Sequence, residues 1–356
     1  MRILLPIALF AGCSSEVDLI AQDADPLLSE APVPENPIQS DRVVQVVEPV
    51  VDILFIVDNS SSMGNEQQQL RTNFPIFLDS FVNSGMDYHI GVVSTDMQRQ
   101  QHRGKLRTGL GERYIDVDTE DPDGVFSAMT NGLGVIVGSV ESGRAAAYTA
   151  LEIRVDDPEN EGFLRDEADL HMIFVSDDND YSGANPVTKG EFIQWATSLK
   201  GGLAEVQMHG IVTPPSGQNQ GCGGGNNTGT DYIDYAAATN GITFSVCVQD
   251  WSPALDALGL LTAGLKREFF LTRVPVIEPE LLLEVQVRLI DPVSGQEITR
   301  IFETCLAGTE IDNPSCEVVY NPGRNSIAFL DYVPDALSEV LVTYPIAENY
   351  SAGADL

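Results

Sequence analysis

From residue 50 onward, apolar runs of strand length alternate with stretches whose apolar residues recur at helical spacing. The runs are "VDILFIVD", "YHIGVVST", "LHMIFVSD", "EVQMHGIVT" and "ITFSVCV". Between and after them lie "NEQQQLRTNFPIFLDSFVNSG", "KGEFIQWATSLKGG", "TDYIDYAAATNG" and "SPALDALGLLTAGL". Near-continuous apolar strands separated by helices predict a mostly parallel sheet covered on both faces, a doubly wound α/β architecture over residues 50–270. From residue 271 the pattern loses its helices. "LLLEVQVRLID", "QEITRIF", "CEVVY", "NSIAFLD" and "EVLVTYPI" predict a small antiparallel β-rich accessory domain over residues 271–356. Residues 14–49, with "DADPLLSEAPVPENP", are acidic and proline-rich and predict an extended tether without regular structure.

Composition narrows the class of function. The chain has 356 residues, 43% of them hydrophobic, enough for a sizeable core and an accessory unit. Its 53 acidic and 19 basic residues give a formal charge of -34, spread along the chain rather than gathered in a tail. Such a surface repels DNA, RNA and anionic head groups, so no nucleic acid is expected as partner, and it attracts divalent cations. Charge of this kind also keeps a protein soluble in a salty medium.

The opening "MRILLPIALFAGCSS" has one basic residue, a short apolar run from Ile3 to Ala11 and small residues before Cys13. The run is too short to span a bilayer and fits an export signal. Residues 1–13 resemble a bacterial lipoprotein signal, with Phe10 where that motif carries leucine. The resemblance implies a lipidated Cys13 as mature N-terminus and, since Ser14 and not aspartate follows, an outer-membrane lipoprotein, periplasmic or surface-exposed. Four cysteines remain: Cys222, Cys247, Cys305 and Cys316. In an oxidising compartment they predict two disulfides; locality favours 222 with 247 and 305 with 316 among the three pairings. None has zinc-site spacing.

The first apolar strand ends in "DNSSSMG". Asp58, Ser60 and Ser62 put a carboxylate and two hydroxyls on one tight loop, hard oxygen donors that suit Mg²⁺, Mn²⁺ or Ca²⁺. "MIFVSDDND" places Asp177 at the same edge if the two strands are neighbours, and two close carboxylates call for a cation between them. In such sheets ligands gather at the carboxyl ends of strands. At these residues the segment from about Val50 to Leu265 resembles a von Willebrand factor type A domain. Asp58, Ser60, Ser62 and Asp177 match its metal-ion-dependent adhesion site. The family's second-loop threonine falls in "VGSVESGRAAAYTALE", where Ser142 is the substitute and Thr130, Ser139 and Thr149 are alternatives. The resemblance implies a metal completed by a carboxylate from a protein ligand.

Other signals are weaker. Asp178, Asp180 and Ser182 mimic the start of an EF-hand loop and suggest an auxiliary calcium site, although Lys189 stands at the position of its bidentate glutamate. A solvated acidic loop is the competing reading. Asp96 reads as a turn or cap residue. "GSVESGRA" has P-loop glycine spacing but Arg144 and Ala145 in place of Lys and Ser/Thr, which excludes phosphate binding there. His89, His102, His171 and His209 are scattered, and no G-x-S-x-G frames a serine. The expectation is a non-enzymatic, divalent-cation-dependent binding protein at the envelope. The alternatives are a structural envelope protein whose metal only stabilises the fold, and a metal-dependent hydrolase.

Overall fold

A computed structural model of the chain describes residues 37–45, 50–82, 86–200, 205–216, 227–278, 281–290, 296–310, 313–330, 332–335 and 337–346. Cys13, Cys222 and the signal segment lie outside the described residues.

The chain runs through β1 (Ile38–Val44), β2 (Val50–Val57), α1 (Gly64–Leu78), β3 (Asp87–Ser94), α2 (Pro122–Asn131) and α3 (Gly143–Tyr148). A π-helical turn at Thr149–Ile153 leads on to β4 (Asp169–Ser176), α4 (Lys189–Leu199), β5 (Val206–Val212), α5 (Thr230–Ala238), β6 (Thr243–Ser245) and α6 (Ser252–Thr262). The remaining strands are β7 (Glu268–Phe270), β8 (Glu284–Ile290), β9 (Glu297–Phe302), β10 (Thr304–Leu306), β11 (Val318–Asn321), β12 (Ser326–Phe329) and β13 (Glu339–Pro345).

The expected doubly wound unit is present: a parallel sheet in the order β3-β2-β4-β5-β6 with helices on both faces. Strand β2 explains why its run is apolar throughout. Val51, Ile53, Phe55 and Val57 enter the core under α1, α2 and α6, while Leu54 and Ile56 enter the core under α3, α4 and α5. On the first face α1 supplies Leu70, Phe74, Phe77 and Leu78, the spacing of one helical stripe. The ring of Phe55 meets Phe74, Phe77 and Phe126 edge-on, with centroids 6.4, 5.3 and 5.2 Å away. Helix ends are signalled locally. Asp121 accepts from the Gly124 N–H at 3.0 Å ahead of Pro122 at the start of α2, and Thr188 with Glu191 forms a capping box on α4.

Topology creates the crevice. From β2 the chain moves to β3 on one side and returns to β4 on the other, so the loops leaving β2 and β4 diverge at the sheet's switch point. In register, Val57 stands beside Val175. Asp58 and Asp177 follow directly on those strands.

The second unit joins two four-stranded sheets, β1-β13-β8-β9 and β10-β11-β12-β7, through a core that includes Val285, Phe302, Tyr320, Phe329 and Tyr344. It departs from the purely antiparallel expectation, because β10 and β11 pair in parallel. The tether expectation is corrected over residues 38–44, which form β1 and pair along their length with β13. The cause is one buried side chain as much as the ladder: Asp41 accepts from Thr272 N at 2.7 Å and Tyr344 Oη at 2.6 Å. Strand β7, inside the expected boundary at 270, belongs to this second unit through β12. Cys305 and Cys316 are bonded to each other, as locality favoured, and Cys247 is itself disulfide-bonded. Among the described residues no helix is long and apolar enough to cross a membrane.

Candidate metal centre

The loop after β2 is built around the Asp58 carboxylate, which is fully buried. Its Oδ1 accepts from the Ser60 N–H at 2.7 Å and its Oδ2 from the Ser176 hydroxyl at 2.8 Å. Those bonds hold the carboxylate in one orientation at the end of the sheet. The loop then closes as a turn, with Met63 N donating to Ser60 O at 3.1 Å, and α1 begins at Gly64. Ser60 and Ser62 face each other with hydroxyls 3.1 Å apart. Ser62 lies close enough to the Asp177 carboxylate, and Ser60 to that of Glu141, for each hydroxyl to favour the charged form of its neighbour. Asp58, Ser60, Ser62 and Asp177 are thus brought together as the sequence anticipated.

Glu141 is the residue the sequence reading missed. It stands immediately before Ser142 and is drawn to the site because Asp96 bridges to it across the sheet's end and Tyr181 N donates to its carbonyl at 2.6 Å. The signal was present in "VESGR", but an acidic residue beside a helix start reads first as a cap. Ser142 is buried at the N-cap of α3, its N–H donating to Thr95 O at 3.1 Å, and its hydroxyl makes no capping bond. The alternatives are placed otherwise. Thr130 donates to Phe126 O and Ser127 O within α2, and Thr149 lies beyond the other end of α3. Ser139 donates to Asn59 Oδ1 at 3.1 Å and supports the loop from outside.

The electrostatics follow from burial. Desolvation pushes the Asp58 carboxyl up to about 7 against its two hydrogen bonds, and the charges of Glu141 and Asp177 push the same way. Burial likewise raises Asp177, opposed by Ser62 and aided by Asp178. It raises Glu141, with Asp178 and Asp177 adding to the shift. Glu66, in the first turn of α1, is raised by burial and by Asp177, and its Oε2 is buried without a partner. Among the described residues no three His, Cys, Asp or Glu side chains form a metal-binding group by themselves. An ion at this edge would be held by carboxylates and hydroxyls together, a donor set whose chemistry fits a hard cation such as Mg²⁺.

The residues expected at an auxiliary calcium site have protein partners of their own. Asp180 is buried against Arg144, with Oδ2 3.2 Å from its Nη1, and also accepts from Tyr235 Oη at 3.1 Å and Ser182 Oγ at 2.6 Å. Asp178 Oδ1 accepts instead from Tyr181 Oη at 2.8 Å and Asn179 N at 2.7 Å. Arg144 is thus the positive charge that faces Asp180. Asp96 has the capping role expected of it, accepting from Gln98 N and Arg99 N and pairing with Arg99. Three of the four histidines stand away from the loop. His89 bonds Phe163 O at 2.9 Å, and His171 bonds His209 near the opposite end of the strands.

No protein-family model and no curated protein matches the chain. Among solved structures it is similar to proximal thread matrix protein 1 from the mussel byssus, at 14% identity and a TM-score of 0.38, covering 63% of this chain and 48% of that one. A pilus adhesin, SpaC from Lactobacillus rhamnosus GG in its open conformation, is similar at 14% identity and a TM-score of 0.38, covering 90% of this chain and 42% of that one. This chain therefore spans less than half the length of either. Likenesses this distant carry no argument about activity, and the site's own chemistry has to supply it.

Proposed function

We propose that the protein is a non-enzymatic, divalent-cation-dependent binding protein of the von Willebrand factor type A kind, anchored in the outer membrane through a lipid on Cys13. The observation that supports this reading is the hydrogen-bonded loop of Asp58, Ser60 and Ser62, with Asp177 beside it, at the switch point of the sheet. Asp58 and Asp177 would hold Mg²⁺, or Mn²⁺ or Ca²⁺, together with Ser60 and Ser62, with Ser142 as the expected further hydroxyl and Glu141 next to it in the chain. When bound, the ion supplies a hard Lewis acid able to take a carboxylate oxygen from a protein ligand. Ser176 and the Ser60 N–H keep Asp58 aimed whether or not a ligand is near. A serine-nucleophile reading has less support, since His89, His171 and His209 are all bonded elsewhere.

Calorimetry tests the centre directly. Wild-type protein is expected to bind Mg²⁺ and to melt higher in Mg²⁺ than in EDTA. Asp58→Asn and Asp177→Asn should each lose the Mg²⁺ heat while staying folded, because removing one of several close carboxylates also relieves repulsion. Unaltered Mg²⁺ binding in both variants would overturn the metal-centre reading. If Mg²⁺ raises the melting temperature but EDTA leaves partner capture from envelope extract unchanged, the ion is structural and the adhesive reading fails. The anchor has its own test. Cys13→Ser is expected to move the protein from the outer-membrane fraction to the soluble one, and unchanged partitioning would count against lipidation.

A further inference from the structure

We propose that the loop following β3, residues 97–111, is a cationic docking surface for an acidic polypeptide that engages the candidate metal centre at the same time. The second contact rests on the cation-dependent reading above; the first does not. In a chain with 53 acidic and 19 basic residues, this stretch holds Arg99, Arg103, Lys105 and Arg107, with His102, and not one Asp or Glu. Two of its cations are spent inside the fold, Arg99 on Asp96 at 2.8 Å and Lys105 on Glu159 at 2.6 Å. Arg103 and Arg107 have no carboxylate partner among the described residues.

Backbone carbonyls aim these two guanidinium groups without neutralising them. Arg103 Nε donates to Met97 O at 3.0 Å; Arg107 Nη1 donates to Gln101 O at 3.1 Å and its Nη2 to Gly132 O at 2.9 Å. Arg103 is exposed. Beneath the loop, Arg107 Nε and His102 Nδ1 are buried without partners. The loop is also tied to the metal edge. Leu133, next to Gly132, accepts from Asn59 Nδ2 at 3.2 Å, and Asn59 follows Asp58; Asp96, just before the loop, bridges to Glu141.

A net charge of -34 repels any polyanion at long range, so an acidic partner needs a local positive surface to dock. The planar fork of arginine suits carboxylates, and a hard-cation centre beside it takes the same group. One carboxylate at the centre and others on Arg103 and Arg107 require a partner with several acidic side chains in one segment.

The test is anisotropy of fluorescein-labelled octaglutamate with the full chain in Mg²⁺ or EDTA. Arg103→Gln/Arg107→Gln is expected to weaken binding roughly tenfold and flatten its salt dependence, while in Arg103→Gln, which leaves the Arg107–Gly132 contact in place, Mg²⁺ calorimetry stays as in wild type. Arg103→Gln alone, at an exposed position, should weaken binding in the same direction with no risk to the fold. Arg324→Gln, a charge-matched control in the second unit, should do nothing. Octaglutamate affinity unchanged in both loop variants overturns the proposal, and tighter binding of heparin than of octaglutamate overturns the polypeptide as partner. Arginine-dependent octaglutamate binding in a protein that takes up no Mg²⁺ would sink the metal-centre reading and leave the cationic surface standing.

Discussion

Replacing Arg165 with methionine is expected to lower the free energy of unfolding by roughly 3–5 kcal/mol, because it strands a buried charge. Asp52 lies wholly inside the sheet, at the end opposite the metal edge, and Arg165 is its cation. The Arg165 backbone N–H donates to Asp52 Oδ2 at 2.7 Å and its Nε to Oδ1 at 2.8 Å. The same side chain reaches Asp87 Oδ1 at 2.6 Å and Val51 O at 2.9 Å, clamping the first residues of β2 and β3. Burial pushes the Asp52 carboxyl up, and Arg165 opposes that through hydrogen bonds and charge. Without the guanidinium the carboxyl must either take a proton or stay charged in a dry interior. Urea unfolding followed by circular dichroism checks the size of the loss. Asp52→Asn combined with Arg165→Met should recover a large part of it, since both charges are then gone. Strict additivity of the two single losses would show that the pair is not coupled.

The buried histidines set a second large effect, on acid stability. The N–H of Ile242 points at His209 Nδ1, 3.2 Å away, so that nitrogen accepts and the ring proton sits on Nε2. From there it is donated to His171 Nδ1 at 3.0 Å. Each nitrogen in this chain has its role only while both rings are neutral. Burial lowers His209 to about 4, and burial with His209 beside it lowers His171 well below its ordinary value. An unfolded histidine takes its proton near pH 6.5, so between that point and about pH 4 the unfolded chain binds protons the folded chain cannot. This contribution is complete above the unfolded pKa and is lost as the pH falls through the window. For His209 alone it amounts to about 3 kcal/mol. Asp58 and Asp177, whose carboxyls are raised, titrate with the opposite sign. The histidine effect is therefore read as a difference: the stability of wild type minus that of His209→Gln should fall by about 3 kcal/mol from neutral pH to pH 4. A difference that stays flat with pH would mean the pair is solvated and titrates normally.

The local patterns that proved reliable share a physical basis. A short continuous apolar run and a 3.6-residue apolar repeat are properties of a few neighbouring residues, so "VDILFIVD" and "NEQQQLRTNFPIFL" declared β2 and α1 without reference to anything distant. The parallel arrangement followed from their alternation, and the switch point follows from strand order. Asp58, Ser60, Ser62 and Asp177 were legible for the same reason: each sits directly at the end of a strand, so placing the strands places the residues.

What depended on tertiary structure involves partners far apart in the chain. Strand β1 has no pattern that separates it from a tether, because its stability comes from β13, some three hundred residues away, and from Asp41 meeting Thr272 and Tyr344. Glu141 joins the metal edge only because Asp96 and Tyr181 hold its backbone there, and its own neighbours say nothing of it. Asp180 reads in sequence as part of an acidic loop, and its contact with Arg144, thirty-six positions earlier, appears only in the fold. The sequence by itself determined which segments are strands and helices and which hydroxyls and carboxylates end them, because those are local free-energy choices. Which buried charges meet cations, which meet one another and which stand open to a ligand was decided only when the sheets closed, because the strength of a charge contact depends on burial and distance that no single segment contains.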